Sequence, residues 1–238
     1  MVDLSFHIAQ NGLHAGTIRQ GVIANNLSNL TTDGFRARLM DPATIAAPGT
    51  QVQGVRDSQT LGAPRVTGGE TDVFIGGEGF LRVTTPDGVA YTRNGQLHVD
   101  ADGNLTTSSG HLLEPQITVP EDSTAMQFLR DGTVFSIDQD GVATELGQIE
   151  LTRFINPSGM ISIGDNLYVR GPNSGDAIDG IPGEAGFGSI LHRALESSTV
   201  DPSREITNQI VNQRYYQMNL RSFQTSDAIV SRTLDLFS

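Results

Sequence analysis

The sequence predicts an α+β protein, with long N- and C-terminal helices forming a coiled-coil-like pair around an inserted, hairpin-rich all-β domain. Three observations predict this. Apolar residues at both ends recur at alternating spacings of three and four. The stretch between them is rich in Gly and carries short alternating runs closed by Asn-Gly and Asp-Gly turns. After Pro202 neither Gly nor Pro occurs again, so nothing interrupts a helix to the last residue.

The first element, residues 1–35, carries two apolar series. One runs through Leu4, Ile8, Asn11, Ala15, Ile18, Val22, Asn25 and Asn29, the other through Phe6, Ala9, Leu13, Gly16, Gln20, Ile23, Leu27 and Leu30. They are offset by two residues, roughly 200° around a helix of about 3.6 residues per turn, and so lie on nearly opposite faces. Ala9, Ala15 and Gly16 allow close helix approach. A single helix buried in one core is the plainer alternative. A helix of some 28 residues, at ~1.5 Å per residue, spans about 42 Å, which argues against it.

Residues 36–70 are expected to be an extended connector, because Pro42, Pro48, Pro64 and several Gly break any periodicity. Residues 71–195 read as a β-rich outer domain. Asp72–Ile75, Gly79–Val83 and Val89–Arg93 alternate as strands. A weak internal echo pairs Arg93–Leu97, followed by Asp100–Gly103, with Arg130–Val134, followed by Asp138–Gly141. Two copies are too few for a propeller or solenoid and point to hairpins. Residues 196–238 return to helix. Asp201 is the expected N-cap, and Pro202 suits the first helical position. Val211, Tyr215, Met218, Thr225, Ile229 and Leu236 form one seam, and Tyr216, Phe223, Val230 and Phe237 its neighbour. Ile206, Ile210, Leu220 and Leu234 form a third stripe. A helix apolar on several faces needs more partners than one chain supplies. The expected partners are further copies of the chain, with ordering of the ends coupled to assembly.

Charge is partitioned. The formal net charge is −12, and residues 1–40 and 196–238 are close to neutral, so the acidic excess lies between them. Near-neutral ends pack side by side without strong repulsion, and an acidic middle stays hydrated. Nucleic acid is excluded as a partner, since phosphate binding needs a basic footprint. All 15 basic residues are Arg. The absence of Cys excludes disulfides and thiolate metal sites. No run approaches the ~20 apolar residues of a membrane span, so no membrane insertion is expected. The start lacks the basic segment of a cleavable signal peptide, and these features alone read as cytoplasmic.

Residues that carry chemistry are sparse. Asp100, Asp102 and Asn104 begin like a calcium loop, but Leu105 and His111 occupy the positions of the turn glycine and the bidentate glutamate, so a plain turn is expected. Gly76-Gly77-Glu78-Gly79 does not complete a dinucleotide fingerprint. His7 and His14 lie two helical turns apart, too far to share an ion. No catalytic residue, metal or cofactor is expected.

Residues 24–36, Ala-Asn-Asn-Leu-Ser-Asn-Leu-Thr-Thr-Asp-Gly-Phe-Arg, resemble the N-terminal signature of the bacterial flagellar basal-body rod and hook proteins. Gln213-Arg214-Tyr215-Tyr216, Asn219, Thr225, Asp227 and Leu234-Asp235-Leu236 resemble the C-terminal signature of that family. Gly77–Phe80, Tyr91–Gly95 and Val99-Asp100 follow the order of its β domain. The resemblance implies a structural subunit of the flagellar rod, polymerised into a helical tube that transmits motor torque across the periplasm to the hook. Ile163–Tyr168 and Leu195–Val200 favour the distal rod; the short connector and Gly34-Phe35-Arg36-Ala37 leave the proximal rod as the alternative.

It also implies self-copies, other rod, hook and ring proteins, and the type III export apparatus as partners. Location in the basal body and periplasm without a cleaved signal peptide follows from it, correcting the cytoplasmic reading. The seams and signatures together mark Leu4, Ile8, Ile18, Val22, Asn25, Asn26, Leu27, Asn29, Gly34 and Phe35 as assembly residues. In the C-terminal region they mark Gln213, Arg214, Tyr216, Asn219, Phe223, Thr225, Asp227, Leu234, Leu236 and Phe237. Asn25, Asn26 and Asn29 are expected to fix register through cross-helix hydrogen bonds. Gly34 is expected to end the helix in a left-handed cap, and Phe35 to anchor the departing chain. A second class stays open: a periplasmic hydrolase of cell-wall glycan, which needs a facing carboxylate pair. Six of the 27 acids sit in Asp-Gly turns, which favours the structural reading.

Overall fold

A computed structural model describes residues 2–44 and 50–235, with side chains at 7–40 and 54–229. The fold is α+β. Helix α1 spans Val2–Ser28 and helix α2 spans Pro202–Asp235. Between them run β1 (Arg38–Thr44), β2 (Thr50–Asp57), β3 (Pro64–Val66), β4 (Val73–Gly76), β5 (Phe80–Thr85) and β6 (Gly88–Thr92). Then come β7 (Leu97–Val99), β8 (Leu105–Thr107), β9 (Leu112–Glu114), β10 (Ser123–Phe128), β11 (Thr133–Asp138) and β12 (Ala143–Gln148). The last are β13 (Leu151–Phe154), β14 (Ile161–Gly164), β15 (Leu167–Val169), β16 (Ala177–Gly180), β17 (Ser189–His192) and β18 (Ala194–Glu196). The chain folds into two compact units. One comprises 1–30, 37–58 and 200–238; the other comprises 31–36 and 59–199.

In the first unit α1 and α2 pack against each other, and β1 and β2 form an antiparallel hairpin against α1. Asp201 caps α2 as predicted: its Oδ1 accepts the Ser203 N–H at 2.9 Å and the Arg204 N–H at 3.3 Å. The expected extended connector, 36–70, instead contains this hairpin and β3. Pro42 sits in β1 at a register shift, the position where a strand tolerates the missing N–H.

In the second unit the main sheet runs in the order β14-β15-β6-β5-β9-β8-β7, with β13 pairing β5 and β16. All pairings are antiparallel. Alternation along β5 and β6 gives the sheet two buried faces. Leu81, Val83 and Ala90 point into a core with Val73, Ile75, Leu97, Leu105 and Leu113. Phe80 and Tyr91 point the other way, into a cluster with Phe154 and Tyr168, where the Tyr91 and Phe154 rings meet edge to face at 4.9 Å. Burial pushes the Tyr91 phenol above its ordinary range, with Asp179 adding to the shift. The echoed Asp-Gly segments are the same turn twice. Asp100 Oδ1 accepts the N–H groups of Asp102 and Asn104, and Asp138 Oδ1 those of Asp140 and Val142.

Candidate assembly interface

The helix pair is antiparallel, as its contacts show in order: Asn26 meets Glu205, Gln20 and Gly16 meet Asn212, and Gly12 meets Asn219. On α1 the buried positions are Ala9, Gly12, Ala15, Gly16, Ile23 and Asn26. On α2 the inward positions are Glu205, Asn212, Asn219 and Ser226, one every seven residues. Glycines make room for side chains of α2: a β-carbon at Gly16 would lie 3.3 Å from the Tyr216 ring, and one at Gly12 2.5 Å from Asn219 Oδ1. Asn212, 2% exposed, donates to the Gly16 carbonyl at 3.0 Å and to Gln20 Oε1 at 3.2 Å. The Arg19 guanidinium lies over the Tyr215 ring at 5.6 Å.

Within the chain, then, α2 buries polar side chains and leaves its apolar ones outward. Ile206, Ile210, Val211, Met218, Leu220 and Ile229 are exposed, Met218 to 71%. Glu205 is buried at 6% exposure. Among the described residues the fully buried seam of this helix is therefore polar, edged by the Tyr215 and Tyr216 rings, opposite to what a self-sufficient amphipathic helix does.

Asn26 is the best-connected member of the asparagine set. Its Nδ2 donates to the Arg38 carbonyl at 2.9 Å and to Glu205 Oε1 at 3.2 Å, and its Oδ1 accepts the Arg38 N–H at 2.8 Å. One amide side chain thus pairs with strand β1 as a backbone would, and bridges to α2. Asn29 donates within its own helix, to the Asn25 carbonyl at 2.8 Å, and Asn25 is half-buried. Ile8, Ile18, Val22 and Leu27 are half-buried, as are Asn219 and Phe223. Gln213, Arg214, Tyr216, Thr225 and Asp227 are exposed, and Thr225 Oγ1 donates to the Arg221 carbonyl. The side chains of Leu4 and Leu234, and residues Leu236 and Phe237, lie outside the described residues.

Gly34 departs from the expected cap. Helix α1 ends at Ser28, while Gly34, at φ +70°, sits in the second unit. A β-carbon there would come within 2.9 Å of the Asn94 backbone nitrogen, so its left-handed conformation serves a close approach of two backbones. Its N–H donates to the Glu196 carbonyl at 2.6 Å. Asn166 donates to the Asp33 carbonyl, and Arg65 forks onto both oxygens of Asp33 at 2.7 and 2.8 Å. The hydrogen bond to Asp33 holds the Arg65 guanidinium above its ordinary range. Phe35 is buried in the same unit.

Sequence reasoning missed Gly12, Glu205, Asn212 and Ser226 because it followed apolar residues. The signal was present as polar or small residues repeating every seven positions in α2. Among the described residues no helix is long and apolar enough to cross a membrane.

Three family models match the chain. One described as the flagella basal body rod protein covers residues 6–36. The flagellar hook protein FlgE/F/G D1 domain covers 74–142, and the flagellar basal body rod FlgEFG protein C-terminal covers 192–236. The flagellar basal-body rod protein FlgG of Buchnera aphidicola subsp. Acyrthosiphon pisum is 36% identical over 257 residues, covering 98% of this chain and 99% of that protein. That alignment is longer than the 238 residues of this chain, so the relative carries insertions. FlgG of Borreliella burgdorferi is 37% identical over 246 residues, covering 92% of this chain and 93% of its own. The flagellar hook protein FlgE of Salmonella typhimurium is 41% identical over 120 residues, 49% of this chain and 29% of that protein.

Proposed function

The chain belongs to the flagellar basal-body rod protein family, and from that premise we propose that it is a distal rod subunit whose terminal helices polymerise as a coiled-coil-like pair. The copies form a helical tube that carries motor torque across the periplasm to the hook, with the all-β insertion outward. The family is structural and not enzymatic, which removes the glycan hydrolase alternative. Its relatives place the work in the basal body, alongside other rod and hook proteins. The ring proteins and the type III export apparatus are further proposed partners, with export proceeding without a cleaved signal peptide.

One observation carries the reading: α2 buries Glu205, Asn212 and Ser226 within the chain while Ile206, Ile210 and Met218 stay exposed. Those side chains are the proposed contacts with neighbouring copies, together with the exposed assembly residues Gln213, Arg214, Tyr216, Thr225 and Asp227. Substituting Ile206, Ile210 and Met218 together by Ser tests it. Fully burying each such side chain is worth about 1.5–3 kcal/mol, and every 1.4 kcal/mol is tenfold in affinity. The expected outcome is a variant whose monomer melts like the parent and whose self-association, measured by sedimentation, is weakened at least about 100-fold. Undiminished association would remove this face from the interface.

A further inference from the structure

Arg93 and Glu196 form a buried ion pair, each side chain 1% exposed, with Arg93 Nε 2.6 Å from Glu196 Oε2. The guanidinium is otherwise spent on backbone. It donates to the carbonyls of Ile75 at 2.7 Å, Gly77 at 2.9 Å and Gly79 at 2.6 Å, and it lies 5.9 Å from the Phe80 ring centre. Glu196 is equally committed. Its Oε1 accepts the Gly62 N–H at 2.9 Å, and its backbone carbonyl accepts the Gly34 N–H at 2.6 Å. Beside it, Ser197 donates to the Ala63 carbonyl and Thr199 to the Phe35 carbonyl.

These partners share a place in the chain. The backbone passes between the two compact units four times: after Leu30, Arg36, Ser58 and Thr199. Gly34 and Phe35 lie between the first two passages, Gly62 follows the third, and Thr199 precedes the fourth. The Arg93–Glu196 pair therefore sits where the segments that enter or leave the β-rich unit bond to one another, at a node anchored on β4 and the β4–β5 turn. A buried ion pair is weak support for overall stability, because desolvating two charges offsets their attraction; its better-attested use is to fix one arrangement.

We propose that Arg93 and Glu196 act as a clasp on the chain passages of the β-rich unit, so that load reaching any one passage is shared through one rigid node. This rests on the torque-carrying reading for its purpose, but the clasp itself is tested on the full-length monomer. Glu196→Gln turns an amide donor or an uncharged oxygen toward Arg93. Arg93→Met with Glu196→Met removes the pair without stranding a buried charge. Hydrogen exchange is read at the Gly34 and Thr199 amides, whose acceptors are backbone carbonyls that both variants keep, and at Leu81 and Val83 in β5.

The expected result is exchange at least about tenfold faster at Gly34 and Thr199, with Leu81 and Val83 within about twofold of the parent, the pattern of local opening. Unchanged exchange at Gly34 and Thr199 overturns the clasp. So does equal acceleration at all four amides, or a double variant that does not fold, since either makes the pair a general stability element. Cells carrying the double variant are expected to build rods in normal number and to lose at least half of their swimming speed in viscous medium. Normal viscous swimming with fast Gly34 exchange overturns the load-sharing role. Rods that lack this chain altogether would remove the torque reading and leave the exchange result standing.

Discussion

Replacing Gly95 by Ala is expected to destabilise the β-rich unit by at least about 4 kcal/mol, the range reached by few single substitutions. The added β-carbon would overlap the Val73 carbonyl oxygen and sit 2.8 Å from the carbonyl carbon and 2.9 Å from Val73 Cγ2. The first two are backbone, so no rotamer change relieves them. The Gly95 carbonyl also accepts the Val73 N–H at 3.0 Å, which locks the two segments together. Strand β4 must therefore shift, and with it Val73 and Ile75, each 1% exposed, and the ladder to β17. Displacing buried side chains of this size costs about 1.5–3 kcal/mol apiece. In a unit of this size each kcal/mol lowers the melting temperature by roughly 2–4 °C, so a fall of about 8 °C or more is expected by calorimetry. A variant melting within about 2 °C of the parent would contradict this packing.

Asn26→Ala is expected to loosen the first unit by about 3–6 kcal/mol. It leaves the Arg38 N–H, the Arg38 carbonyl and the Glu205 carboxylate without the partner each has now. Leaving a buried polar group unmatched costs about 1–3 kcal/mol, more when it is charged. The effect should concentrate on the β1–β2 hairpin, because Asn26 pairs with its first residue. Asn26→Asp should be at least as severe. Its carboxylate still accepts the Arg38 N–H but cannot donate to the Arg38 carbonyl, and it places a second negative charge beside Glu205. Urea unfolding gives the magnitude, and exchange at the Arg38 amide gives the location. Parental behaviour in both would mean that Asn26 does not hold the hairpin.

The helices and most strands of the sheet were legible because their signals are local. The Asp201 cap, the seven-residue repeats and the Asp-Gly turns each need only neighbours in sequence. The β1–β2 hairpin was not legible, since Pro42 and a register shift erase the alternation that marks a strand. The end of α1 was misplaced for a different reason. Thr31–Phe35 read as the close of a helix, but their partners, Glu196, Asn166 and the Arg93–Asn94 backbone, are distant in sequence. The candidate interface was legible in part. Apolar stripes on α2 were seen, and their exposure follows from what pattern reading passed over: the inward seam is made of Glu205, Asn212, Asn219 and Ser226, with glycines facing it from α1.

The most direct measurement is electron cryomicroscopy of purified basal bodies from cells whose only copy of this chain carries a density label at the exposed Pro86-Asp87 turn. Label density is expected to repeat helically around the rod, and rods to stop short in cells lacking the chain. Complete rods without label density, or full-length rods assembled in its absence, would contradict it.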